Sequence, residues 1–369
     1  MPHSSEPVRV AACGCLTPFG DAASTHLALM RGECALRPVG VLGRDGGDMV
    51  PLALLPGRAL DETSPPDWLG AVRRMNDSIP GGDWGSPGRP VFVTSSNFGV
   101  GGLYALHRTG EHSFAAWGAP PTCTERLREE LGWGPDVSIL SHACVSAHLG
   151  LLLASRAVSA GLADEALVLS FDFLSPFVAG GFHSLKILNS GFPSPYRIRE
   201  SGAIGLGDGA AFAVISVERG DWILSGQSLH NEMHHFTSNR SDGSGFARCL
   251  EGVMAAARGR RVWFKGHGTG TLEAGRLEVS AAEGALPGAP IVGWKGSLGH
   301  TLGSCGLVEL AIAVESQRAG RTPGTIGGAG PAMGASVAIE GFGNGAFDGV
   351  VCASNAFGGA HAAFLLCHA

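Results

Sequence analysis

Short apolar runs alternate along this chain with longer stretches rich in alanine and leucine, and that alternation restricts the fold more than any other feature. Runs at 8–12, 90–95, 137–141, 166–170 and 211–217 have the length and residue types of buried strands. Stretches at 22–31 and 146–160 have those of helices. A second series opens at residue 222, with strands at 222–225, 262–266, 290–293, 337–340, 349–353 and 362–366 and helices at 244–257, 276–283 and 307–318. Strands alternating with helices imply α/β layers. Residues 40–90 are rich in Gly, Pro and Asp and read as loops or an insertion, with one short amphipathic piece at 68–74. The two series divide the chain at 1–218 and 219–369, and no sequence repeat links them, so any duplication has to be structural.

Size and charge narrow the class. A chain of 369 residues, 44% hydrophobic and 16% charged, has ample apolar side chain for a large core. Its 58 glycines follow no period, which argues against collagen or low-complexity disorder. The net charge is −6 and the basic residues form no stripe, so no nucleic-acid groove is expected. Nine cysteines lack CxxC spacing, and several lie in apolar runs, where a reduced thiol is the ordinary reading. There is no charged n-region followed by an apolar h-region, and no apolar run approaching ~20 residues. The expectation is a cytoplasmic protein with no membrane span.

Three loops carry candidate chemistry. Ser141-His142-Ala143-Cys144-Val145-Ser146 joins a strand to a helix. Cys144 therefore falls near a helix N-terminus, where free N–H groups and the dipole favour a thiolate nucleophile. A buried structural thiol is the commoner role for any single cysteine. Lys265-Gly266-His267-Gly268-Thr269-Gly270-Thr271 follows a strand and sets a histidine between glycines, where a ligand can approach closely, with two hydroxyls beside it. It lacks the GxGxxG and GK[ST] patterns of phosphate loops. Trp294-Lys295-Gly296-Ser297-Leu298-Gly299-His300-Thr301 lies between a strand and an apolar helix bearing Glu309. Each histidine alone is an ordinary polar residue; one cysteine and two histidines on three strand-end loops suggest a site. His230, Glu232, His234 and His235 do not form HExxH, so no metal is expected there. Gly205-Leu206-Gly207-Asp208-Gly209 precedes a strand rather than a helix, which argues against a dinucleotide fingerprint.

Together the three loops resemble the β-ketoacyl synthase family of the thiolase fold, over nearly the whole chain. The His267–Thr271 block reads HGTGT, and Lys295 through Glu309 fits K-x3-GH-x8-E; in this order the two blocks are highly specific. Ala143-Cys144-Val145-Ser146 looks like the nucleophile block, and Ser354-Asn355-Ala356-Phe357-Gly358-Gly359 like the C-terminal glycine-rich loop. The segment 231–237 looks like the one that ends in His-x-Thr. Two histidines, rather than His and Asn, point to the elongating type.

The resemblance implies a five-layered α-β-α-β-α arrangement of two similar halves, the first bearing the cysteine and the second both histidines. It implies that Cys144 accepts an acyl group from a thioester, and that His267 and His300 promote decarboxylation of a malonyl-type extender. Backbone N–H groups of Cys144 and Phe357 form an oxyanion hole, and Lys295 paired with Glu309 holds the histidine environment. Thr269 and Thr271 bind the phosphopantetheine arm, while Phe357, Gly358 and Gly359 gate the pocket. No cofactor is implied, because substrates ride on the phosphopantetheine of an acyl carrier protein or coenzyme A. A homodimer, or a heterodimer with a related subunit, is the implied assembly.

The sequence also departs from the family pattern. Gly275 stands where Asp is usual, although Glu278 is retained. Pro195-Tyr196-Arg197 replaces a usual PFD, and NAFGGAH replaces a longer NSFGFGGTN, so altered gating or an unusual acyl substrate is expected. Two other readings stay open: an acyltransferase that makes an ester or amide without decarboxylation, and a non-catalytic partner subunit resembling a chain-length factor.

Overall fold

The computed structural model describes residues 7–41, 47–60, 68–80, 83–235 and 238–369. Its centre is a ten-stranded sheet whose strands run β1 Arg9–Leu16, β2 Val91–Thr94, β3 Val137–Leu140, β4 Glu165–Asp172 and β5 Gly209–Ser216 in the first half. In the second half they run β6 Trp222–Asn231, β7 Val262–Lys265, β8 Ile291–Val292, β9 Gly349–Ala356 and β10 Ala360–His368. From the middle outward the first half is ordered β1-β5-β4-β2-β3 and the second β6-β10-β9-β7-β8. Each strand thus has a counterpart five places later, with the same sense of pairing. The pairs β2–β3, β2–β4, β7–β8 and β7–β9 are parallel. The pairs β4–β5, β1–β5, β9–β10 and β6–β10 are antiparallel. The duplication lies in topology, which is why no sequence repeat announces it.

Two separate sheets are implied by the family resemblance, but here they touch. Arg9 pairs with Ile223 and Val10 with Trp222, so hydrogen bonding runs continuously from one half into the other. The layers survive this join because the central helices, α1 Ser146–Ser159 and α4 Cys305–Arg318, pack on each other and on strands of both halves. Helix α4 has nearly every residue from Cys305 to Val314 buried, as a helix covered on all sides must. Ala147, Leu151, Leu307, Leu310 and Ala311 form the inner core with Val168, Ile215 and Leu366 from the strands. One outer face is covered by helix Leu69–Asp77, with Trp68, Leu127 and Phe171 beneath it. The other is covered by α2 Ser244–Ala257 and α3 Leu272–Ala285, over Phe264 and Val351.

Several elements differ from the sequence reading. Strand β1 extends to Leu16, beyond residue 12. The region 40–90 is not loop alone: Arg37–Val41 and Asp48–Ala53 form a hairpin that Leu206–Gly207 joins as a third strand. Glycine, proline and aspartate hide its β pattern, but Val41, Val50 and Leu52 bury themselves against Leu174, Ile204 and Leu206. Helices Val100–Thr109, Pro120–Leu131 and Pro176–Ser184 have no counterpart in that reading. Interior glycines weaken the helical signal of the first and third, yet Gly102 lets its backbone approach Phe114, whose carbonyl oxygen lies 2.8 Å from where a Cβ would stand. The strand read at 337–340 is reduced to one bridge, Val337 to Ile291, because β8 is itself only two residues long.

Candidate active site

The loops after β3, β7 and β8 leave the C-terminal ends of parallel strands, where α/β folds place their sites. After β3 the chain turns sharply into α1, with Ala143 in the left-handed region at φ 46°. The Ser146 hydroxyl holds this elbow, donating to the Ala143 carbonyl at 2.7 Å and accepting from the His142 N–H at 2.8 Å. Cys144 is thereby thrust from the turn toward the second half. After β8, Gly299 at φ 72° turns the chain so that His300 faces the cysteine; a Cβ there would stand 2.5 Å from the Leu206 backbone.

The convergence is close. His300 Nε2 lies 3.0 Å from Cys144 Sγ, and the His267 and His300 rings meet edge to face with centroids 4.8 Å apart. Cys144 is 9% exposed, His267 5% and His300 3%. The Leu302 N–H donates to His300 Nδ1 at 3.2 Å, which makes Nε2 the protonated, donating nitrogen of a neutral ring. Burial lowers the pKa of both histidines well below the usual imidazole value, and the nearby Lys295 charge adds to it. Both rings are therefore uncharged donors at neutral pH.

The cysteine differs from expectation. Burial raises the Cys144 pKa far above the usual thiol range, outweighing Lys295 and the Phe357 N–H, both of which favour the thiolate. The helix terminus was expected to favour a thiolate; desolvation wins, and the resting sulfur is a thiol. Behind the histidines, Lys295 Nζ lies 2.5 Å from Glu309 Oε1, and Lys265 Nζ contacts Glu309 Oε2. The loop reading had left Lys265 without a role.

A second buried network ties the loops together. Glu278 on α3 accepts from the Gly268 N–H at 2.9 Å, from Asn355 Nδ2 at 2.5 Å and from the Tyr196 hydroxyl. It thus links the His267 loop to the β9–β10 turn that carries Phe357. His361 continues the chain, lying 2.7 Å from Asn355 Oδ1 and 2.6 Å from Glu232 Oε1, while the Glu232 N–H donates to the Gly359 carbonyl at 2.8 Å. Tyr196 is seated tightly beside this network. Its ring fills a slot walled by glycines: a Cβ on Gly266 would stand 2.1 Å from its hydroxyl, and one on Gly293 would stand 2.9 Å from its ring. Replacing Tyr196 by Phe removes one donor from a buried carboxylate and is expected to cost about 1.5–3 kcal/mol in a denaturant titration.

A cavity of about 260 Å3 opens onto Cys144, His267 and His300. Phe182, Ile187, Ile204 and Phe357 form its apolar wall, and Thr269 and Thr271, with hydroxyl oxygens 3.4 Å apart, its polar one. Phe357 stacks on Phe182 at 6.0 Å, and Gly358 and Gly359 beside it both have positive φ. A larger cavity of about 690 Å3 lies at the other end of β7, beside Arg258, Arg260 and Arg261, and holds neither cysteine nor histidine. The segment 231–237 is described up to His235; its last two residues lie outside the described residues. Glu232, Asn355 and His361 are site-shaping residues that the sequence reading gave no contacts, because those form only in three dimensions.

Residues 223–328 match the family model for the C-terminal domain of β-ketoacyl synthases. Among curated proteins, the chain is 26% identical over 230 residues to a putative polyketide β-ketoacyl synthase 1 of Streptomyces halstedii, covering 56% of this chain and 54% of that protein. It is 28% identical over 216 residues to the chloroplastic 3-oxoacyl-[acyl-carrier-protein] synthase II of Arabidopsis thaliana, covering 53% and 40%. The chain thus spans about half the length of the curated relatives it matches. Among solved structures, a β-ketoacyl synthase from Burkholderia phymatum superimposes with a TM-score of 0.81 at 18% identity, over 99% of this chain and 100% of that one. A type II polyketide ketosynthase structure, with its acyl carrier protein and a bound hexaketide, superimposes with a TM-score of 0.83 at 17% identity, over 99% of both chains. Identities this low speak for the fold alone, and the sequence matches add a likeness confined to about half of the chain. In fold throughout, the chain matches solved β-ketoacyl synthases, and in sequence residues 223–328, which carry both histidines, match the C-terminal domain of that family.

Proposed function

We propose that the protein is a β-ketoacyl synthase of the elongating type, joining an acyl unit to a malonyl-type unit carried as thioesters. The observation that carries this reading is the meeting of one thiol with two neutral, donating imidazoles, Cys144 Sγ and His300 Nε2 being 3.0 Å apart. In the first step Cys144 attacks the acyl thioester, a new acyl–sulfur bond forms, and the carrier thiol leaves with the proton. The Cys144 and Phe357 N–H groups receive the oxyanion. In the second step the malonyl unit loses its carboxylate as carbon dioxide, and the electron pair becomes an enolate whose oxygen His267 and His300 hydrogen-bond. The enolate carbon attacks the acyl carbon, the Cys144 sulfur departs, and a β-ketoacyl thioester results. Neutral donors suit this chemistry, because negative charge develops where their N–H groups point.

Thr269 and Thr271, on the polar wall of the cavity, take the phosphopantetheine arm, and Lys295 with Glu309 supports the histidines. Phe357, Gly358 and Gly359 act as the gate. The substrates arrive on an acyl carrier protein or coenzyme A, and the protein itself uses no further cofactor. Solved ketosynthase relatives include one in complex with its acyl carrier protein and one in complex with its chain length factor. The assembly proposed here is a dimer of this chain or of this chain with a related subunit. The sheet edge at β3, where Ile139 is 39% exposed, is a surface such a partner could cover. Among the described residues no helix is long and apolar enough to cross a membrane, and a cytoplasmic setting fits the proposed substrates.

Intact-mass spectrometry with a panel of acyl-carrier and acyl-coenzyme A thioesters, followed by peptide mapping, tests the first step. An acyl adduct on the peptide containing Cys144 is expected. Absence of any adduct across a broad panel favours instead a partner subunit resembling a chain-length factor.

A further inference from the structure

Glu309 is gripped by two lysines rather than one. Lys265 is fully buried at the end of β7 and Lys295 is 2% exposed, and the two ammonium groups take opposite oxygens of the same carboxylate. Lys265 Nζ also lies 5.8 Å from the centre of the Trp294 ring. Burying two cations against one directly bonded anion is costly, since each desolvated charge needs a counter-charge. The Glu309–Lys295 pair is already neutral, so structure alone does not require the second cation.

The groups around this extra charge indicate its use. Its field acts on His267 and His300 from the active-site loops, on His148 from α1, on Cys305 from α4 and on Cys352 from β9. Lys295 and Glu309 are its ionic neighbours, and the Glu278 carboxylate acts in turn on Lys295. Apart from Glu309 and Lys295, these groups in its field are imidazoles and thiols. His148 is pushed down to about 3 by burial, Lys265 and Lys295, and neither of its ring nitrogens has a hydrogen-bond partner among the described residues.

We infer that Lys265 is a positioning residue for the condensation: it fixes the second oxygen of Glu309, and so Lys295, and its charge adds to the burial and the Lys295 charge that hold His267 and His300 neutral. The inference deepens the ketosynthase reading and rests on it for the kinetic part. A like charge near an imidazole disfavours the imidazolium, so removing it makes the histidines easier to protonate. In the folded protein a histidine with a lowered pKa contributes stability above its unfolded value and loses it as the pH falls.

Lys265→Met, a neutral side chain of similar length, provides the test. Histidine titration followed by long-range proton–nitrogen NMR is expected to show His267 and His300 protonating at a higher pH than in the parent. The acid limb of the condensation rate moves up by the same amount, and the rate at pH 8 falls less than the rate at acid pH, the loosened Glu309–Lys295 pair costing a part at every pH. Stability at neutral pH is retained or raised, since Glu309 keeps its pair with Lys295. An unshifted titration overturns the inference, as does an equal loss of rate at every pH. A variant that fails to fold overturns it as well, because the Glu309–Lys295 pair would then not be self-sufficient. If the parent protein makes no β-ketoacyl product, the reading of the reaction falls, and the NMR titration still decides the role of Lys265.

Discussion

Cys144→Ala is expected to lower condensation by a factor on the order of 10^4 or more, because it removes the atom on which the acyl group is held. Every part of the site is aimed at that sulfur. His300 Nε2 stands 3.0 Å from it, and the backbone N–H of Phe357 acts on it from the glycine-rich turn. The elbow that presents it keeps Ala143 in a left-handed conformation, a strain that the Ser146 hydroxyl bonds offset. Losing one buried sulfur should alter stability by only about 1 kcal/mol, so the loss of rate will not be a loss of fold. Single-turnover assays of β-ketoacyl product beside a denaturant titration check both halves. A variant keeping more than about a tenth of the parent rate contradicts the role given to Cys144.

Glu309→Gln is expected to be among the most destabilising polar substitutions in the site, costing about 3–5 kcal/mol. Glutamine matches the shape but not the charge, and two ammonium groups, on Lys265 and Lys295, would face each other with no carboxylate between them. Both lysines would be driven toward the uncharged amine, and His267 and His300 would lose the fixed field around them. Burial, with the Lys295 charge, pushes Lys265 down, whereas at Lys295 burial is outweighed by Glu309 together with Cys305 and Glu278, and the pKa rises. The contrast with Lys265→Met is informative: removing the shared anion leaves two bare charges, while removing one of two cations leaves a neutral pair. Denaturant midpoints of the two variants separate these cases, and equal losses in both contradict the shared-carboxylate account.

Much of the site was legible in the sequence because its groups sit on contiguous loops. His267 with its flanking glycines, and His300 five residues after Lys295, can be read as blocks, and Glu309 lies one helix further on. The α/β class was legible for a similar reason, since strands such as 262–265 are short, apolar and bounded by polar turns. What sequence could not supply was convergence between distant segments. Glu232 and His361 are 129 residues apart and meet only because β6 and β10 pair side by side. Tyr196 reaches Glu278, 82 residues on, through a slot whose walls are glycines from two loops and a helix. Lys265 was visible at the head of its loop, yet nothing in its neighbours along the chain indicates that it faces Glu309. The thiol state of Cys144 was misjudged because a helix terminus is visible in sequence and desolvation is not. The hairpin at Arg37–Ala53 was missed because its strands are short and its apolar partners lie far along the chain.

The most direct test of the account is a single turnover of acylated protein with carboxyl-labelled malonyl-carrier, following labelled carbon dioxide and product together. The account predicts one carbon dioxide released for each β-ketoacyl thioester formed, with the Cys144 adduct discharged at the same rate. Transfer of the acyl group to an acceptor without carbon dioxide release would contradict it and identify an ester- or amide-forming acyltransferase on the same fold.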